Sequence, residues 1–122
     1  MDEEFDLNEK LYRAVYPPEI KNLFWKTDGS LSSAAFADPK GLSVDRGNHR
    51  PDIEVANDMQ KRFSGLIVYI FVHNCHETNA LIKYLPSKHN IYHCEIHGNS
   101  DSALLSKSQR RYLASKAILL NI

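Results

Sequence analysis

The sequence predicts a single small domain of the α/β or α+β class. We expect a mixed sheet with a βαβαβ-like parallel core over residues 42–97, followed by a C-terminal amphipathic helix. Three observations carry this prediction. The chain has 122 residues, close to the usual size of one domain. Residues 66–72 form an apolar run that suits a strand covered on both faces. From residue 42 onward, strand-like and helix-like segments alternate.

Composition and charge narrow the classes of protein that the chain can belong to. Hydrophobic residues make up 43% and charged residues 25%, which is enough apolar material for one core and excludes wholesale disorder. Fifteen Lys and Arg balance fifteen Asp and Glu. Because nucleic-acid binders draw much of their affinity from a basic excess, nucleic acid is not the expected partner, although a local basic patch stays open.

The sequence predicts a cytoplasmic protein with no membrane partner. Its amino terminus, Met1 to Glu4, carries three acidic residues where a secretory signal would be basic, and no apolar segment follows it. The longest apolar run is 7 residues, against the roughly 20 that a spanning helix needs. The only cysteines are Cys75 and Cys94, so a disulfide scaffold is not expected. We expect residues 1–10 to form a partly mobile lead-in to the domain, which spans residues 1–122.

The first forty residues are predicted to add an irregular or antiparallel edge to the sheet. Residues 11–16 suit a strand or a short helix, which Pro17 and Pro18 end. Residues 19–25 place apolar side chains at helical spacing over one or two turns.

From residue 42 the predicted order is strand, helix, strand, helix, strand, helix. Residues 42–46 alternate as a half-buried strand, and a helix follows from Pro51. Residues 65–72 are predicted to be the central strand, residues 78–85 a short helix, and residues 91–97 a strand. Ser106 and Gln109 form a capping-box pattern at the start of the last helix. Short helices between strands favour right-handed crossovers and a parallel core.

One candidate site lies on the strand at 91–97. Side chains alternate faces along a strand, so His93, Glu95 and His97 should share one side, opposite Tyr92, Cys94 and Ile96. A carboxylate between two imidazoles can fix their tautomers and support proton transfer or metal binding. The alternative is an ordinary sheet face that meets solvent.

A second candidate site follows from the parallel prediction. Ligands bind beyond the carboxyl ends of parallel strands, so three strand ends would bring their polar residues to one edge. Those residues are Asp45, Arg46, His73, Cys75, His76 and His97. We expect His97, His73, His76 and Glu95 to carry acid–base or metal-assisted chemistry. Asp45, Arg46 and Arg13 are the candidates for binding the substrate.

The sequence identifies no cofactor and leaves the metal content open. Histidine and cysteine are zinc ligands, but no Cys-x-x-Cys pair or second knuckle is present. Nucleophile elbows, Walker loops and Gly-x-Gly-x-x-Gly turns are absent from the sequence.

The function that these patterns favour is a small enzyme or ligand-binding domain that acts on a small anionic substrate. The alternative is a non-catalytic regulatory or antitoxin-like module that binds a protein partner. Four aromatic residues near the amino terminus would anchor that partner: Tyr12, Tyr16, Phe24 and Trp25. Substrate, reaction and oligomeric state are not determined by the sequence.

Overall fold

The computed structural model describes residues 5–121, so residues 1–4 of the expected lead-in lie outside the described residues. Within residues 5–121, six strands and three α-helices follow one another. In order they are β1 Lys10–Val15, β2 Leu42–Arg46, α1 Asp52–Gln60, β3 Leu66–Phe71, α2 Val72–Glu77, β4 Leu81–Tyr84, β5 His93–His97, α3 Lys107–Lys116 and β6 Ile118–Leu119. Two 3₁₀ turns lie between β1 and β2, at Asn22–Phe24 and Ser33–Phe36.

The six strands form one sheet in the order β4-β5-β2-β1-β3-β6, and every neighbouring pair is antiparallel. The predicted parallel core over residues 42–97 is therefore wrong. The physical reason is β1, which lies between β2 and β3 and pairs antiparallel with both. β2 and β3 do run in the same direction, as a crossover through α1 requires, but they are not neighbours. The first forty residues thus supply an internal strand rather than an edge.

The segment between β3 and β5 also differs from the prediction of a helix over residues 78–85. The helix α2 begins directly at the end of β3, and residues 81–84 form the edge strand β4. Asn79 turns the chain between them with a φ of 59°, a left-handed conformation that Asn tolerates better than most residues. A six-residue helix and a four-residue, half-exposed strand are both too short to show a clear period.

The apolar strand β3 is internal, as expected, but it is not the central strand. It pairs with β1 along its whole length and with the two-residue edge strand β6 on the other side. Its two faces are covered by different groups, which explains its continuous apolar character. Val68 and Ile70 belong to the main core, whereas Ile67 packs with Tyr12 and Val55.

The sheet separates two hydrophobic clusters. The main core lies on the face covered by Ser33–Phe36, α2 and α3, and its most buried residues include Leu11, Phe36, Ile96 and Leu113. The smaller cluster lies on the opposite face beneath α1 and consists of Tyr12, Val55, Ala56, Met59 and Ile67. We call this second side the α1 face. The site described below lies on the part of it formed by β2 and β5.

The first and last helices begin where the sequence predicts. Pro51 directly precedes α1 without making a side-chain capping hydrogen bond, whereas Ser106 caps α3 by accepting a hydrogen bond from the backbone N–H of Gln109. The last helix ends at Lys116, and Ile118–Leu119 then form β6 instead of continuing it. In the part of the chain that the structure describes, no helix has the length and apolar character needed to cross a membrane.

Candidate functional site

The predicted alternation is confirmed for the residues of β5, His93–His97, but not for Tyr92, which was expected on the core side. Cys94 and Ile96 are fully buried in the main core, whereas His93, Glu95 and His97 are half-buried on the α1 face. The preceding residue, Tyr92, lies outside the main core and packs its ring against the guanidinium group of Arg50. We call the group Ser43, Asp45, His93, Glu95 and His97 the histidine face, because β2 and β5 place these side chains on one side of the sheet.

Glu95 lies between the two imidazoles of the histidine face. Its Oε1 is 2.9 Å from Nε2 of His97, and its Oε2 is 3.6 Å from Nε2 of His93. The side chains of His97, Glu95 and His93 are 14%, 25% and 27% exposed. When His97 is neutral, the carboxylate holds the proton at Nε2 and leaves Nδ1 free to accept another. The arrangement is that of an acid–base pair still open to solvent.

Gly41 makes room for this pair. A Cβ atom at residue 41 would lie 2.7 Å from Nε2 of His97 and 2.9 Å from Oε1 of Glu95, closer than side-chain atoms can pack. The φ of Gly41 is 106°, which also disfavours any other residue. The sequence alone does not indicate this role of Gly41.

Neighbouring strands supply further polar groups. Ser43 of β2 lies opposite Glu95, and Lys83 of β4 lies opposite it on the other side. Asp45 lies opposite His93 and is nearly inaccessible, at 4% exposed. Its carboxylate accepts hydrogen bonds from Nη2 of Arg62 at 2.6 Å and from Nδ2 of Asn90 at 2.9 Å. The sequence offers no signal that singles out Arg62 and Asn90, because both lie in loops.

Arg46, predicted to hold the substrate, lies on the other side of the sheet. Its guanidinium donates two hydrogen bonds of 2.8 Å to Glu9, and both residues are buried. Its centre lies 4.3 Å from the ring of Phe5 and 5.0 Å from that of Tyr84. Arg46 therefore belongs to a buried ion pair away from the histidine face.

Arg13 binds backbone carbonyl groups. Its Nε donates to the carbonyl oxygen of Ala35 at 3.1 Å, and Nη1 donates to that of Ser43 at 2.9 Å. The strands β1 and β2 pair only at Leu11 and Tyr12, so Arg13 bridges the gap beyond them. Burial lowers the pKa of this guanidinium below its ordinary value, but it stays charged.

The two histidines of α2 do not join the histidine face. His73 stacks on Phe71, and its Nδ1 lies 3.0 Å from Oε2 of Glu77. Oε1 of Glu77 accepts a 2.5 Å hydrogen bond from Tyr112. Hydrogen bonds from Tyr112 and then from His73 lower the pKa of Glu77 to about 2. His76 lines a separate cavity beside Asn99.

The predicted convergence of strand ends is wrong for the same reason as the parallel core. Because β5 is antiparallel to β2, His97 lies at the opposite end of the sheet from Asp45 and Arg46. What unites Asp45, Glu95 and His97 is the face that they share. Cys75 is part of the main core instead.

Neither cysteine is a candidate nucleophile. Burial raises the pKa of Cys75 and of Cys94 to about 12, so both remain thiols near neutral pH. Within residues 5–121, no three His, Cys, Asp or Glu side chains are grouped in a way that could hold a metal ion.

The four aromatic residues proposed as partner anchors are placed differently from one another. Tyr12 is buried, and Phe24 and Trp25 pack against the main core. Tyr16 is 47% exposed. Of the four aromatic residues proposed as anchors, Tyr16 is therefore the one whose ring is largely exposed.

The chain matches no protein-family model, no curated protein and no solved structure in the three comparisons made.

Proposed function

We propose that this protein is a small enzyme whose acid–base site is the histidine face. The observation that carries the proposal is the contact of 2.9 Å between Oε1 of Glu95 and Nε2 of His97, with His93 on the other oxygen of the same carboxylate. All three side chains are carried on one strand of the sheet, which gives them the fixed geometry that acid–base catalysis needs.

The proton steps follow from the roles of the two groups. Nδ1 of His97 accepts a proton from the attacking water or hydroxyl group, and Glu95 stabilises the imidazolium that forms. The imidazolium then returns the proton to the leaving group, which completes hydrolysis or group transfer. His93 is the second imidazole within reach of Glu95 and can take part in the same exchange.

The arginines that could clamp a small anion are already engaged, whereas the exposed Lys83 lies opposite Glu95 on β4. Arg46 is committed to Glu9, and Arg13 is committed to two carbonyl groups. Arg62 is bound by Asp45 and by Asp58. We also propose a cytoplasmic location, in keeping with two cysteines that are free rather than joined.

The proposal is tested by assaying the purified chain against nitrophenyl esters, nitroanilides and nitrophenyl glycosides. Turnover of at least one of them should fall by about 10²–10⁴-fold in Glu95→Gln and in His97→Gln, the usual contribution of a general acid or base. His89→Gln, which changes an exposed loop histidine, is the matched control. Activity that survives both site variants, or the absence of any turnover across the panel, would contradict the proposal.

A further inference from the structure

A cavity of about 210 Å³ adjoins the histidine face. It lies between the end of α1 and the strands β1, β2 and β5, and it has two unlike walls. The apolar wall is formed by Ala14, Met59 and Phe63. The polar wall is formed by Ser43, Asp45, Asn90 and His93. Ser43 and His93 are the immediate neighbours of Glu95, so the cavity ends where the acid–base pair begins.

Phe63 is an exposed aromatic ring at the mouth of this cavity. It is 45% exposed, and it also lines a second cavity of about 280 Å³ together with Tyr16 and Arg62. The guanidinium of Arg62 lies 5.0 Å from the centre of the Phe63 ring. A large apolar ring left in solvent next to a polar wall offers a stacking surface for a flat ligand.

The polar wall is rich in hydrogen-bond acceptors. Ser43 supplies a hydroxyl oxygen and His93 an imidazole nitrogen, and Asp45 supplies a carboxylate that already accepts one hydrogen bond from Arg62 and one from Asn90. A carboxylate has about four lone-pair sites, so it can accept further donors. Among the described residues that line the two cavities, the cations Arg13 and Arg62 already donate to protein oxygens. Among these lining residues an anion would meet the carboxylate of Asp45 without an uncommitted cation, whereas the N–H donors of a ligand would meet the remaining lone pairs of Asp45, Ser43 and His93.

The volume limits what can enter. About 210 Å³ corresponds to roughly seven water molecules at about 30 Å³ each. Pockets for drug-sized ligands begin at about 300 Å³, so this cavity suits one ring system rather than a whole nucleotide.

We propose that this cavity is the ring-binding subsite of the histidine face, for a neutral or cationic heteroaromatic ring that carries N–H donors. The ring stacks on Phe63 and presents its polar edge to Ser43, Asp45 and His93, which brings the bond to be cleaved over Glu95. This inference rests on the proposed acid–base function, because it names the substrate class of the same site.

The test is a ¹H–¹⁵N NMR titration of the whole chain with two rings of similar shape. One is 2-aminobenzimidazole, which is cationic and carries adjacent N–H donors, and the other is benzimidazole-2-carboxylate. At millimolar concentration the first should shift the amides of Phe63, Asn90 and His93 and approach saturation. The carboxylate should bind at least about tenfold more weakly, which is a difference of about 1.4 kcal/mol.

Phe63→Ala should weaken binding of 2-aminobenzimidazole by roughly 5- to 100-fold, the range expected when a stacking aromatic side chain is removed. Phe71→Ala, which removes an aromatic ring that lines neither cavity, is the matched control and should leave binding unchanged. The subsite is refuted if the cationic ring causes no saturable shifts, if the carboxylate binds as well, or if Phe63→Ala has no effect.

The two proposals can fail separately. Glu95 does not line the cavity, so Glu95→Gln should retain binding of 2-aminobenzimidazole while losing turnover. Ring binding without any loss of turnover in Glu95→Gln would overturn the acid–base function and leave the subsite standing. Loss of turnover in Glu95→Gln without ring binding would overturn the subsite alone.

Discussion

A Cβ atom at Gly41 would lie 2.7 Å from Nε2 of His97, so the turn before β2 lies directly against the side chain at the end of β5. The φ of 106° favours glycine here, and a Cβ atom would in addition force the ends of the His97 and Glu95 side chains to move. The geometry of the candidate acid–base pair thus depends on a residue that carries no functional group.

Gly41→Ala is expected to separate His97 from Glu95. Without the carboxylate at Nε2, His97 should no longer be held in the tautomer that has its proton there. Long-range ¹H–¹⁵N NMR of the imidazole reports this tautomer directly. Gly29→Ala is the matched control, because its φ of 88° is also unfavourable for alanine while no atom lies within 4 Å of the new Cβ. An unchanged His97 tautomer in Gly41→Ala would contradict this account of Gly41.

Arg46→Met should destabilise the protein by about 3–5 kcal/mol, because it leaves the carboxylate of Glu9 buried without its charged partner. The double variant Arg46→Met, Glu9→Met should recover most of this loss. Urea unfolding followed by circular dichroism measures both. If the single variant proves as stable as the double one, the ion pair is not buried as described.

Tyr112→Phe should change how the free energy of unfolding depends on pH below about 4.5. The pKa of Glu77 is lowered from 4.5 to about 2, so this group stabilises the fold above about pH 4.5 and loses that contribution as the pH falls towards 2. Removing the Tyr112 hydroxyl removes the largest cause of the shift. The pKa of Glu77 should therefore rise in NMR titrations, and stability should fall less steeply between pH 4.5 and 2. A wild-type pKa near 4.5 would exclude the hydrogen-bonded arrangement.

Ile70→Ala should cost about 2–5 kcal/mol, as large-to-small changes in a packed core do. Ile53→Ala makes the same chemical change on α1 at a side chain that is 53% exposed, and its cost should be less than about 1 kcal/mol. Equal costs for the two variants would place Ile70 outside the core.

Neither cysteine should react with Ellman's reagent while the protein is folded, because Cys75 and Cys94 are buried thiols whose pKa is raised to about 12. Both should react within the dead time once urea unfolds the chain. Fast modification of the native protein would show that at least one thiol is reachable.

The positions of the strands were predicted from the sequence better than their arrangement in the sheet. The alternation in β5 predicted which side chains share a face, because that pattern depends only on the local geometry of a strand. The direction of the sheet was predicted wrongly, because it depends on which strand lies beside which. Nothing between residues 42 and 72 indicates that β1 will lie between β2 and β3.

The candidate site was likewise predicted where it depends on local strand geometry, and missed where it depends on contacts between distant segments. Glu95 and its two histidines were found from their spacing, since one strand carries all three. The roles of Gly41, Arg62 and Phe63 could not be read, because each depends on contacts between segments distant in the chain. Arg46 was misplaced because a charged residue next to a strand end is usually exposed, and here Glu9 allows it to be buried.

The place of β1 in the sheet sets a condition on how the chain folds during synthesis. This strand is synthesised before the other strands of the sheet. Leu11 cannot pair with Arg46 until β2 has been synthesised, and Lys10 cannot pair with Phe71 until β3 has been synthesised. A nascent chain that stops before residue 66 holds β1 and β2 but lacks β3 and β5, so most of the main core cannot close. Such long-range pairing slows folding and makes it cooperative. This sheet should therefore form only after β3 and β5 have been translated.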